Sequence, residues 1–539
     1  MIADQERGRE TLSSGDAGWN VSALLERRAL EAPTATTLLF QGRTWTFGEL
    51  ADQAAELAGR LEAAGLARGQ AVAVCLPNSP ELVLSFFAAW WLGAVVVPMN
   101  PTLTEREIAH ALEDSGASVV VTTGEVARHN HPDRVVGADH VFVVSGDPPG
   151  DGSGHVLPPA RRHPPVAAVE PESPAVVMFT SGTTGRSKGA VLTWRAVSEA
   201  NATLGVALKG SAGPYPVSAK RNEPTMIVLP LTHVAGLTSL LFALYAGRSV
   251  LLMERFRVEP FVEEARRHRV HTFVATPAML QMLAKHEHEI ELPSLRFVHS
   301  TGAALPLTVK AQFERRYGVP IFQNYGQTET LHVAGWTRDD LRSGRWKPGA
   351  VGRAYEGVEL RIVDDEGDDL PAGEPGELLV RSRHTMQRYI GQAAGSEAPL
   401  DAEGWLHTGD IGFLDEDGDL FLVDRKREVI IAGGFNVYPA EVENVLLEHP
   451  GIREVVVVGL PDDRLGEVPH AFVVPMSSPG PAEAELVEFC RDRIAHYKAV
   501  RGVTLVDSLP RTESQKIRRQ QVKAMALEKV SGTGPVHGE

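Results

Sequence analysis

Two rhythms of apolar residues alternate along the first third of the chain. Leu50, Ala54, Leu57 and Leu61 recur at the spacing of one helix face; after Gly69 the unbroken apolar run 71–74 has the length of a buried strand. Ser79-Pro80-Glu81 opens another helix, with proline where its missing N–H costs nothing. Thr104 and Glu107 have the spacing of a capping box, and Ile108, Ala111 and Leu112 form the buried side of the helix that follows. Residues 119–121 read as the next strand. This order predicts an α/β protein of layered, largely parallel sheets. After about residue 340 the rhythm shortens, and 358–363, 377–381 and 413–423, the last turning at Asp417-Gly418, predict antiparallel strands. Beyond Asp424 a helix at 439–448, a strand at 454–460 and a helix at 483–497 predict a small α+β unit. The expected organisation is a large N-terminal domain of layered α/β sheets plus a small β-rich part (1–423), a charged, exposed hinge (424–427) and a small C-terminal domain (428–539).

Three stretches test this picture. Residues 82–99 are uncharged and nearly long enough to span a membrane, but the stop at Gly93 and the β-branched run 95–97 predict a buried helix and a separate strand. Residues 145–174, rich in Pro and Gly, predict a long surface connection, and 209–223 a second, polar loop. The tail 530–539 is expected to be disordered.

Composition narrows the function. With 43% hydrophobic and 23% charged residues the chain has material for a large core, and a net charge of −16 argues against nucleic acid or an anionic membrane as partner. Any polyanionic ligand must then be held by a local site. Two cysteines, Cys75 and Cys490, are too few for a disulfide framework or a structural zinc cluster and suit a reducing cytoplasm. The polar first residues lack the apolar core of a secretory signal.

Such a local site is signalled at 179–190, Phe-Thr-Ser-Gly-Thr-Thr-Gly-Arg-Ser-Lys-Gly-Ala, where glycines free backbone N–H groups to converge and hydroxyls add donors. It is not a Walker A loop, because Lys188 follows Ser187 and precedes Gly189, and the apolar run 190–192 intervenes before Thr193 caps a helix starting near Trp194. A phosphate loop between two strands is the expectation.

Further motifs follow in order: Pro230-Leu231-Thr232-His233; Ser300-Thr301-Gly302-Ala303-Ala304; Asn324-Tyr325-Gly326-Gln327-Thr328-Glu329; Gly404-Trp405-Leu406-His407-Thr408-Gly409-Asp410; Asp424-Arg425-Lys426-Arg427; Gly433-Gly434-Phe435; and Pro510-Arg511-Thr512-Glu513-Ser514-Gln515-Lys516-Ile517. From about Trp45 to Lys523 the series resembles the adenylate-forming superfamily of acyl-CoA synthetases, firefly luciferases and nonribosomal peptide adenylation domains. The resemblance implies an ATP- and Mg²⁺-dependent ligase that turns a carboxylic acid into an acyl-adenylate, releases pyrophosphate and passes the acyl group to a thiol.

It also implies residue roles. Thr180, Ser181, Gly182, Thr183, Thr184 and Lys188 would hold the β- and γ-phosphates, Thr328 the α-phosphate and Glu329 the metal. Gly302, Ala303, Ala304, Asn324 and Tyr325 would form the adenine slot, and Asp410 and Arg425 would hold the ribose. Lys516, on a mobile C-terminal domain turning about Arg427, would bridge the attacking carboxylate and the α-phosphate, with His233 beside them. The sequence departs from the family at Gln515, where glycine is usual, and at Arg427, where Asp or Lys is usual. The implied acyl pocket is His233, Val234, Ala235, Gly236, Thr301, Gly302, His332 and Val333. It lacks the aspartate of amino-acid-activating relatives and any Arg or Lys for a second carboxylate, which implies a neutral aliphatic or aromatic monocarboxylic acid. Gly433 and Gly434 would let a pantetheine arm pass, favouring coenzyme A as acceptor. A carrier-protein thiol and an amine, including nitrite adenylation with diazotisation of an aryl amine, are the alternatives. A nucleotide-binding protein without catalysis is disfavoured by Glu329 and Lys516. The expected assembly is a monomer or homodimer.

Overall fold

A computed structural model describes residues 19–145, 154–180, 187–209, 213–217, 224–288, 290–390, 400–432, 435–462, 464–512 and 515–530. The predicted helices form where their caps are. Ser79 Oγ accepts from Leu82 N ahead of the helix Pro80–Trp91, and Thr104 and Glu107 close a reciprocal capping box on Glu105–Ser115, which buries Ile108, Ala111 and Leu112. Pro80–Trp91 is buried along most of its length, and its partner strand Val95–Met99 is wholly buried and runs through Pro98. Among the described residues no helix is long and apolar enough to cross a membrane.

Two large sheets carry the site. One has seven strands in the order Arg388–Tyr389, Lys188–Thr193, Pro174–Thr180, Val95–Met99, Ala71–Cys75, Val119–Thr123, Val141–Ser145. Its last five are parallel, whereas Pro174–Thr180 and Lys188–Thr193 form an antiparallel hairpin. The other has thirteen strands. Half of it is parallel, including Thr225–Ile227, Thr272–Ala275, Phe297–Ser300 and Ile321–Tyr325; it then turns antiparallel through Ala334–Gly335, Ala350–Ala354, Leu420–Arg425, Leu406–Leu414, Gly376–Ser382 and Val358–Val363. Inner apolar faces give separate cores, one around Trp90, Phe86, Phe87 and Leu25, another around Phe261, Phe273, Val298 and Phe313. The small unit is a five-stranded sheet built on the long pair Ile452–Asp462 and Gly466–Pro475, with helix Pro439–Leu447 over it.

Three expectations change. The segment 154–173 does not merely skirt the surface: Leu157 is buried, Arg60 donates to the carbonyls of Leu157 and Pro158, and Ala167 N donates to Trp91 O. The helix expected over 483–497 ends at Arg491, because Arg493 N and Ile494 N both turn back to Cys490 O and Ile494 packs on the small core. The run 424–427 is exposed from Arg425 onward, but Asp424 is half-buried and its carboxylate accepts from Ala440 N (2.9 Å) at the start of helix Pro439–Leu447. Loop 209–223 falls mostly, and tail 530–539 almost wholly, outside the described residues.

Candidate active site

The site lies where the parallel strands end. Strand Ile321–Tyr325 leads into a tight turn in which Leu331 N returns to Gln327 O (2.8 Å) and Val333 N to Tyr325 O (2.9 Å). Only glycine fits at 326, since a Cβ there would meet Leu331 O at 1.7 Å. This turn presents Thr328 and Glu329. Tyr389 OH donates to Glu329 Oε1 (2.6 Å), Thr180 Oγ1 lies 3.4 Å from the same oxygen, and Lys188 Nζ sits over the Tyr389 ring at 5.4 Å. Of the two ends of the hairpin Pro174–Thr180 and Lys188–Thr193, Thr180 thus approaches Glu329 directly and Lys188 lies against its partner Tyr389, while Ser181, Gly182, Thr183 and Thr184 lie outside the described residues.

Asp410 is buried at the junction of strands. Its carboxylate accepts from Tyr325 OH (2.6 Å) and Gln327 Nε2 (2.6 Å), and Arg425, its cross-strand partner, approaches with Nε at 2.9 Å. Burial, reinforced by Asp410, drives the Tyr325 phenol well above its ordinary pKa. For Arg425 the order reverses: burial opposes the charge, but Asp410 and other anions outweigh it and raise the pKa.

Lys516 comes to this cleft from the small unit. The stretch after Pro510 closes on itself: Thr512 N donates to Lys516 O (2.8 Å), Lys516 N to Thr512 Oγ1 (3.1 Å), and Arg511 Nη1 to Gln515 O (2.6 Å). Gln515 has φ +65°, the left-handed region that favours the glycine usual there. Lys516 Cε lies 3.1 Å from where Gly302, itself at φ +85°, would carry a Cβ. The residue as a whole stays exposed, but its ammonium end lies in a crowded cleft. Desolvation first, and the Arg425 charge second, lower its pKa, while Asp410 and Glu329 oppose the fall. His233, which precedes helix Val234–Tyr245, is pushed down to about 4 by burial and by Lys516, and so is neutral at pH 7.

The pocket residues divide. Ala303 and Ala304 are exposed, Thr301 N is tied to Ala275 O (3.0 Å), and Val234 and Ala235 pack against different cores. Gly236 has a packing reason, since a Cβ would meet Pro230 O at 2.1 Å, and Val333 is fully buried beside Tyr325 and Tyr355. Among the described residues, His332 Nε2, Asn324 Oδ1 and Ser300 Oγ are buried without a hydrogen-bond partner. Burial, with His384 and His299 nearby, holds His332 down to about 3; His384, held near 4 by burial, donates through Nε2 to His332 O at 2.7 Å. Gly433 and Gly434 lie outside the described residues, and Arg427 sits exposed in a short 3₁₀ turn, Lys426–Glu428. Tyr389, Gln327 and His384 were not singled out from the sequence. Gln327 lies inside a quoted motif, but nothing local marks Tyr389 or His384, which reach the site from the Gly376–Tyr389 stretch.

The model of the AMP-binding enzyme matches residues 25–390, and that of the AMP-binding enzyme C-terminal domain matches 441–516. The chain belongs to the AMP-binding enzyme family. An indoleacetate–CoA ligase of Aromatoleum aromaticum is 35% identical over 522 residues, covering 94% of this chain and 98% of the relative. Among solved structures, the o-succinylbenzoate–CoA synthetase of Bacillus subtilis with ATP and magnesium ion is 30% identical with a TM-score of 0.79, covering 93% of this chain and 99% of that one. An amide bond synthetase of Marinactinospora thermotolerans has the same identity, 30%, and TM-score, 0.79, over 94% and 99% of the two chains. The family's large α/β domain and smaller C-terminal domain are the architecture described above.

Proposed function

We propose that this AMP-forming ligase activates a neutral monocarboxylic acid, aromatic or aliphatic, and transfers it to coenzyme A. A carboxylate oxygen of the acid bonds to the α-phosphorus of ATP as the bond to the bridging oxygen breaks, giving acyl-adenylate and pyrophosphate. The coenzyme A thiol then loses its proton, bonds to the acyl carbon and expels AMP. The observation that carries this reading is Lys516, set beside Gly302 and within electrostatic reach of Asp410, Arg425 and Glu329, in a chain of this family.

Lys516 bridges the attacking carboxylate and the α-phosphate, neutralising charge as it shifts between them. His233, neutral beside it, adds no second positive charge. Thr180, Lys188 and the loop between them hold the leaving pyrophosphate, Thr328 donates to the α-phosphate, and Gly302, Ala303, Ala304, Asn324 and Tyr325 receive the adenine. Asp410 and Arg425 hold the ribose. The Glu329 carboxylate, with the Thr180 and Tyr389 oxygens against it, is a hard donor set that suits Mg²⁺, which supplies charge neutralisation on the phosphates when bound. Residues 1–423 bind ATP and acid, and 428–539 turn about Arg427 so that Gly433 and Gly434 line the thiol's path. The enzyme works in the cytoplasm as a monomer or homodimer. Coenzyme A is favoured by the CoA-ligase relatives, and the amide bond synthetase likeness favours an amine as the second reading.

The test is a panel of acids (benzoate, cinnamate, indoleacetate, hexanoate) and nitrite, with ATP and Mg²⁺, assayed for pyrophosphate and AMP. Acid-dependent AMP is the expected product; ADP and phosphate would overturn the reading. Mass spectrometry with coenzyme A or amines added then identifies the acceptor.

A further inference from the structure

Helix Pro277–Ala284 joins the catalytic cleft to the small unit. At its start Thr276 Oγ1 caps Met279 N (3.4 Å), and Thr276 Cγ2 lies 3.9 Å from the Gly302 position against which Lys516 packs. At its far end Gln281 Nε2 donates to Arg453 O (2.6 Å), while Lys285 Nζ donates to Arg453 O (3.1 Å) and to Ile452 O (3.4 Å). Those carbonyls open the long strand Ile452–Asp462 of the small unit.

The next residue passes the connection on. Glu454 Oε2 accepts from Arg511 Nη2 (2.6 Å), and the same guanidinium donates through Nη1 to Gln515 O (2.6 Å), immediately before Lys516. The bonds therefore run from the large unit through Arg453, Glu454 and Arg511 to the backbone that carries the lysine. The half-buried Lys285 loses hydration here, which lowers its pKa, and Glu454 partly restores it. A desolvated ammonium engaged by two carbonyls belongs to one relative placement of the two units, because turning the small unit away strips it of both acceptors.

We propose that Gln281 and Lys285 are positioning residues for adenylation: they latch the small unit in the placement that delivers Lys516, and they serve the first half-reaction only. The proposal rests on the assignment of Lys516 to that half-reaction. Losing contacts present in one of two states shifts the population away from it by their differential energy. Of the three hydrogen bonds, the one at 3.4 Å is weak, and two of ordinary strength correspond to about a ten- to hundredfold shift.

The experiment uses the full-length double variant Gln281→Ala/Lys285→Met with the panel acid that turns over fastest. Pyrophosphate release in a single turnover should fall about ten- to hundredfold, while transfer from chemically prepared acyl-adenylate to coenzyme A should be unchanged or faster, with the melting temperature retained. Lys285→Arg, which keeps a donor, should recover most of the rate in the Gln281 background. Wild-type pyrophosphate release in the double variant, with Lys516→Ala inactive in that step, would overturn the latch alone, as would equal loss in both half-reactions. Full pyrophosphate release by Lys516→Ala would instead overturn the assignment of Lys516 on which the latch depends.

Discussion

Asp410 is engaged by three donors, from Tyr325, Gln327 and Arg425, all on one continuous sheet or the turn that leaves it. Lys516, by contrast, arrives on a loop from another unit, sits in a crowded cleft where desolvation disfavours its charge, and follows a residue in a left-handed conformation. The two regions obey different rules. The Asp410 end is a closed network whose geometry follows from strand pairing, so it is as stable as the sheet that holds it. The Lys516 end is held by a few interactions across two units and gains from anions that enter the cleft. A lysine placed this way is easily given up, which suits a group needed in one step and absent from the next.

Breaking the fixed end should have the broadest effect. Asp410→Ala leaves the buried Tyr325 hydroxyl without its Asp410 acceptor and Arg425 without its carboxylate partner, while Gln327 Nε2 keeps Thr408 O (3.0 Å); the cost should be about 3 kcal/mol, the low end for a broken buried pair. Urea denaturation measures it, and nucleotide binding should be lost as well. Glu329→Gln should leave stability nearly unchanged, since Tyr389 keeps an oxygen to donate to, but should slow pyrophosphate release about a hundred- to thousandfold and raise the Mg²⁺ requirement. An unaltered Mg²⁺ titration would remove Glu329 as ligand.

Acid should weaken both ends through the histidines. In the unfolded chain His233, His332 and His384 bind protons near pH 6.5, but when folded only near 4, 3 and 4. Between those limits the unfolded state holds more protons, so stability falls as pH falls. Asp424, raised from 3.8 to about 6 by burial, works the other way: its contribution is full below 3.8 and is lost as pH rises through 6. Three groups outweigh one, and between pH 7 and 5 unfolding free energy should drop by on the order of 3–5 kcal/mol. His384→Asn should flatten that slope. The smallest effect belongs to Gln515→Gly, which relieves a left-handed residue and should stabilise the lysine loop by about 0.5–1 kcal/mol, visible as slower hydrogen exchange at Lys516.

Local rules made much of this readable in the sequence. Capping boxes, Pro at the first helical position and β-branched runs marked Pro80–Trp91, Glu105–Ser115 and Val119–Thr123, because those signals act within a few residues. Gln515 stands where the resemblance leads one to expect glycine, and the backbone there is left-handed. What stayed hidden depends on distance: Tyr389 reaches Glu329 across sixty positions of chain, Gln281 reaches Arg453 across 172, and the half-burial of Asp424 under helix Pro439–Leu447 contradicts its charged surroundings. No periodicity carries such information, since each contact is decided by how whole sheets and helices are placed.

The central claim is that Lys516 acts in adenylation and has left the site when the acyl group is transferred. The direct measurement is Lys516→Ala assayed in each half-reaction separately, with folding checked by circular dichroism. Pyrophosphate release should fall about a hundred- to thousandfold or more, while supplied acyl-adenylate should pass its acyl group to coenzyme A at close to the wild-type rate. Equal damage to both steps in a folded variant would contradict the account.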